Sequence, residues 1–211
     1  MKTLDEIHKF LSENLKMSEK EIKDFDDSTV KIAKEIALFA HRKQYRENGE
    51  EYVVHPLKCL ENYGRFLKIV PNEYLSVDKK RLEKIGIPFD GVQEVCVLHD
   101  VLEDTDLSID DVAGVYAELG HKDFFDVFVR EPLLLITRDN NTPYADYINI
   151  VLTNPVSAMA KMMDMVDNVN LLGLAVLDDK KLARSKRYLD YIKVINDKYH
   201  FIEKAAEFKN F

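Results

Sequence analysis

A chain of 211 residues can hold one domain with a real core. Hydrophobic residues make up 46% and charged residues 32%, the balance of a globular protein, and no apolar run nears the roughly eighteen residues of a membrane span. A net charge of −8 argues against broad nucleic-acid binding, which needs a basic face, but admits a small anionic ligand held by a few local cations.

The start, MKTLDEIHKFLSENL, is mixed in charge and amphipathic and lacks the apolar stretch of a secretory signal, so a cytoplasmic location is expected. It predicts a helix over 2–15, with Leu4, Ile7, Phe10, Leu11 and Leu15 on one side. A short helix is expected at 19–25, and a third from Ser28 or Thr29 to about 46, with His41 on its inward stripe of small residues. The segment 47–50 reads as a turn, and Tyr52–Val54 as extended. Pro56 suits a helix start, and that helix should run to Leu67.

Residues 70–90 look irregular, with a charged short helix near 78–84. Helices follow at about 90–103, 108–119, 121–136, 142–153, 155–176 and 180–208. Ser108 and Asp111 resemble a capping box. No alternating strand is evident. The expectation is an all-α bundle of roughly eight to ten helices forming one domain over 1–211. Cys59 and Cys96 sit in apolar helical patterns without a CxxC pair and read as reduced core residues.

Three motifs carry chemistry. His99-Asp100-Val101-Leu102-Glu103-Asp104-Thr105 follows an apolar stretch. At helical spacing, His99, Asp100, Glu103 and Asp104 fall within an arc of roughly 140°. Carboxylates so close repel one another in a dry site unless a cation joins them, and a divalent metal is the economical solution. The plain alternative is an exposed acidic helix end with a stray histidine. His41 alone reads as a satisfied core histidine. Lys161, Asp164 and Asn168, spaced i, i+3, i+7, share a helix face near the core, where Asp164 needs either Lys161 or a metal as partner.

In chain order the sequence shows AH…QYRENGEEYVVHP, LHDVLEDT and KMMDMVDN. This resembles the HD hydrolase domain of the Rel/SpoT family, whose pattern is AHxxQxRxxGExYxxHP, LHDxxEDT and KxxDRxxN. The likeness covers about residues 28–180. It leaves 70–90 as an insertion and 180–208 as a C-terminal helix. The resemblance implies that His41, His99, Asp100 and Asp164 are metal ligands. It implies that Glu103 and Asp104 position and activate water, and that Asn168 contacts a nucleotide. Arg46, Glu50, Tyr52 and His55 match the segment that shapes the pocket wall. Met165 stands where the family has arginine.

The mixed N/O donor set suits Mn²⁺, Fe²⁺ or Zn²⁺, and the resemblance favours Mn²⁺. Arg42, Lys43, Arg46 and Lys161 are the candidate cations for the remaining phosphates. The implied reaction is removal of the 3′-pyrophosphate from guanosine 3′,5′-bispyrophosphate (ppGpp). The chain lacks the downstream synthetase of bifunctional relatives, so synthesis is not expected. Alternatives are hydrolysis of a nucleoside monophosphate, a cyclic nucleotide or NADPH, or a non-catalytic nucleotide-sensing module. A homo-oligomer is compatible with this reading; a membrane or nucleic-acid partner is not expected.

Overall fold

The structure, a computed structural model, describes residues 2–26, 28–67, 79–171 and 174–209. It is all-α. Among the described residues the only β feature is an isolated bridge between Tyr45 and Glu51. In chain order the helices are α1 (Lys2–Asn14), α2 (Glu19–Asp26), α3 (Thr29–Ala40), α4 (Val54–Leu67), α5 (Lys79–Ile85), α6 (Val92–Leu98) and α7 (Val101–Asp104). Then come α8 (Ile109–Glu118), α9 (Lys122–Phe124), α10 (Arg130–Ile136), α11 (Tyr144–Val151), α12 (Pro155–Asn168), α13 (Asp179–Tyr199) and α14 (Phe201–Lys209).

The helices outnumber the expected eight to ten because three long expected helices are broken. The stretch 90–103 turns at His99–Asp100 into α6 and α7. The stretch 121–136 passes through a π-helical segment, Phe125–Val129. The stretch 180–208 breaks at His200, which adopts φ 53° and ψ 38° in the left-handed region. Two helices are also shorter than expected: α3 ends at Ala40 rather than near 46, and α12 at Asn168 rather than near 176.

The core centres on α6. Val92, Glu94, Val95, Cys96, Val97 and Leu98 are all buried, so this helix has almost no solvent face. A helix apolar nearly all round must be enclosed, and α3, α4 and α12 pack around it. It begins at Gly91, whose φ of +83° suits glycine. A Cβ there would stand 2.1 Å from the Phe128 carbonyl oxygen, so the π-helical segment lies directly against this turn. The capping box on α8 is present: Ser108 Oγ accepts from the Asp111 amide, and the Asp111 carboxylate accepts from the Ser108 amide.

Residues 70–78 of the expected 70–90 insertion lie outside the described residues. The remainder is packed down. Ile87 and Phe89 are buried, Tyr63 donates to the Pro88 carbonyl at 2.7 Å, and α5 lies against α14. No described helix is long and apolar enough to cross a membrane.

Candidate metal centre and nucleotide cavity

Three helix ends converge on one cluster. Near the start of α4, His55 points inward on the buried stripe that continues through Cys59, Leu60, Tyr63 and Leu67. His99 and Asp100 occupy the joint between α6 and α7. Asp164 lies on the buried face of α12.

His55 Nε2 stands 3.1 Å from Asp164 Oδ1 and 3.6 Å from Asp100 Oδ2. His99 Nε2 stands 3.0 Å from Asp100 Oδ2 and 3.6 Å from Asp164 Oδ1. Ligands on arms of about 2.1 Å around one divalent ion lie roughly 3.0–3.4 Å apart. These spacings are close to that, and His55, His99 and Asp164 belong to a buried group of donors within 4.8 Å of one another that could hold such an ion, with Asp100 beside it.

The other side of each ring is fixed. His99 Nδ1 donates to the Cys96 carbonyl at 2.9 Å, and His55 Nδ1 to Asp167 Oδ2 at 2.7 Å. Both Nε2 atoms are thereby aimed at the carboxylates, the arrangement in which imidazoles bind metals. Burial alone would discharge His99, but Asp100 and Asp164 outweigh it and raise the ring to about 10. His55 rises too, its burial being outweighed by hydrogen bonds to Asp164 and Asp167. Burial would likewise raise Asp164, yet Lys161, His55 and His99 hold it well below the usual carboxylate range.

His55 was expected only in the pocket wall, and His41 as a ligand. In the structure His55 Nε2 faces Asp100 and Asp164, and His41 lies beside that cluster. Because α3 stops at Ala40, His41 falls in the turn that follows, with its ring 4.9 Å from that of Tyr52. His41 Nδ1 donates to Gln44 Oε1 at 2.6 Å. Its Nε2 is buried without a hydrogen-bond partner, and no carboxylate pairs with the ring among the described residues. His41 thus flanks the cluster. The usable signal for His55 was its place beside Pro56 at the head of a core-facing stripe.

A cavity of about 450 Å³ opens over this cluster. Glu103 and Asp104 line it, and they also line a second depression of about 760 Å³ on which Arg42 and Lys43 lie. Glu103 accepts from the Arg138 amide at 3.1 Å, and burial raises its carboxyl above the ordinary value. Asp104 accepts from Tyr52 Oη at 2.9 Å, and the same hydroxyl lies 2.8 Å from Asp100 Oδ2.

Of the expected cations, Arg46 and Lys161 line the main cavity, whereas Arg42 and Lys43 do not. Arg42 lies over the Phe39 ring and donates to the Phe39 carbonyl. Lys161 pairs with Asp164 Oδ2 at 2.8 Å, and Arg46 with Asp167 at 3.1 Å. Asn168 also lines the cavity and donates to Asp164 Oδ1. Glu50 is occupied elsewhere, pairing with Lys58 at 3.0 Å.

The sequence reading missed two cations, Arg138 and Arg184, that line the same cavity. Arg184 Nε and Tyr144 Oη are buried there without a hydrogen-bond partner. Tyr144, Tyr147 and Tyr188 add aromatic surface. Met165 is fully buried in the core and takes no part in the lining.

No family model matches the chain, and no curated protein matches it. Among solved structures it is similar to a metazoan ortholog of SpoT, described as hydrolysing ppGpp and playing a role in starvation responses. The TM-score is 0.52 over 86% of this chain and 94% of that one, at 19% identity. The chain therefore shares the all-α fold of that protein, in keeping with the fold that the three motifs led one to expect.

Proposed function

We propose that this chain is a metal-dependent phosphohydrolase acting on a nucleotide, with guanosine 3′,5′-bispyrophosphate as the preferred substrate. The observation that carries the chemistry is the facing set of His55, His99, Asp100 and Asp164 donors, 3.0–3.6 Å apart, beneath the cavity. In this reading His55 takes the ligand place first expected of His41, and the ion is divalent, with Mn²⁺ favoured by the family resemblance. When bound, such an ion supplies Lewis acidity toward a phosphate oxygen and lowers the pKa of water.

The protein groups perform the rest. Glu103, with its raised carboxyl at the cavity wall, holds the attacking water and takes its proton. Tyr52 spans Asp100 and Asp104 and fixes both side chains. Arg46, Arg138 and Arg184 supply positive charge for the remaining phosphates. Tyr144 and Tyr188 offer flat faces for a base. The fold shared with a ppGpp hydrolase supports the substrate assignment.

The test is pyrophosphate release from ppGpp by the full chain, with and without Mn²⁺, beside Asp100→Asn. Release that needs Mn²⁺ and is lost in the variant supports the reading. No release by a protein that binds Mn²⁺ rejects this substrate and leaves the metal centre standing.

A further inference from the structure

Gln44 stands between α3 and α4, and its main chain is held on both sides. Its amide donates to the His41 carbonyl and its carbonyl accepts from the Tyr52 amide, each at 2.9 Å. The side chain makes two further bonds. Nε2 donates at 2.6 Å to the main-chain carbonyl of Asp104, 60 residues away, and Oε1 accepts from His41 Nδ1, also at 2.6 Å. A carbonyl oxygen only accepts, so just one orientation of the glutamine amide satisfies both contacts.

The partner of Nε2, α7, needs such a hold. It is a single turn, Val101–Asp104, with no side-chain cap at its start. A helix this short is not stable by itself, so outside contacts set where it sits. Val101 anchors its first residue in the core. At the other end, Tyr52 Oη reaches the Asp104 carboxylate and the Arg138 amide reaches the Glu103 carboxylate. Gln44 instead grips the main chain of Asp104 itself. Because the Tyr52 amide is bonded to the Gln44 carbonyl, both the backbone and the carboxylate of Asp104 are tied to this one residue. Gln44 lines the second depression and not the cavity over the cluster, so it acts through α7 and not on an occupant of that cavity.

We propose that Gln44 is a positioning residue for the water-activating pair: its side chain fixes the end of α7 and so aims Glu103 and Asp104. This rests on the hydrolase reading above.

The experiment compares the full wild-type chain with Gln44→Met, which removes both side-chain bonds, and Gln44→Glu, which keeps the acceptor for His41 and loses the donor to Asp104. Hydrogen–deuterium exchange over residues 99–107 reads the hold on α7 without any substrate. Both variants should exchange there about tenfold faster, the worth of one hydrogen bond. With Mn²⁺ and ppGpp, kcat should fall about 10–100-fold while KM stays within about twofold. In a Glu103→Gln background the same substitutions should cost much less, because the group they misplace is already gone. Wild-type exchange in both variants overturns the proposal. So does an equal kcat loss with and without Glu103, which would make Gln44 a general structural support. A wild type that releases no pyrophosphate rejects the hydrolase reading, and the exchange result then decides by itself whether Gln44 holds α7. Should Gln44→Met not fold, Gln44→Glu carries both measurements.

Discussion

His55 Nδ1 and Asp167 Oδ2 lie 2.7 Å apart although 112 residues separate them. Asp167 in turn pairs with Arg46. The aspartate thus sets the tautomer of His55 and turns its other nitrogen toward Asp164 and Asp100. Asp167→Asn keeps the shape and removes the charge. We expect it to weaken metal binding about 10–100-fold, as measured by titration against a metal buffer. Unchanged affinity would remove Asp167 from any role in orienting His55.

Glu103→Gln should bind metal like the wild type yet lose about 10²–10⁴-fold in turnover. Metal analysis and kcat on the same preparation check both halves. A normal kcat would take Glu103 out of the proton-transfer role.

Asp164 does more than face the imidazoles. It also neutralises Lys161, whose side chain is only 14% exposed. Asp164→Ala leaves that ammonium buried without its partner, which costs about 3–5 kcal/mol. Urea denaturation should show this loss in metal-chelating buffer. Wild-type stability there would mean that Lys161 finds another partner.

Gly91→Ala meets two obstacles, a left-handed backbone and a Cβ 2.1 Å from the Phe128 carbonyl oxygen. Together these should destabilise the fold by roughly 3 kcal/mol or more. A melting temperature within a degree or two of wild type would show that the turn and the π-helical segment can separate.

Glu94 is buried and accepts from Thr29 Oγ1 at 2.7 Å. Burial raises its carboxyl, outweighing the Thr29 hydrogen bond. The folded chain therefore holds this proton more tightly than the unfolded chain does. Its contribution to stability falls as pH rises from the unfolded value, about 4.3, toward the higher folded one. Glu94→Gln retains an acceptor for Thr29 and should flatten this part of the stability–pH curve. Identical slopes for the two proteins would contradict the assignment.

Much of this was legible in the sequence, because periodicity and the three motifs are local. The apolar run before His99 lies on the enclosed helix α6, and the i, i+3, i+7 face of Lys161, Asp164 and Asn168 is present on α12. What escaped was set by helix endings. Nothing in the pattern around Ala40 announces that α3 stops there, and that ending puts His41 in the following turn, while His55 enters through the start of α4. The same holds for Arg138 and Arg184, which reach the cavity only once distant helices have packed.

Glu103 and Asp104 line both the arginine- and tyrosine-lined cavity and the depression on which Arg42 and Lys43 lie. A molecule held in the first cavity therefore need not cover the surface that these two carboxylates share with the second, from which water and protons would still reach them.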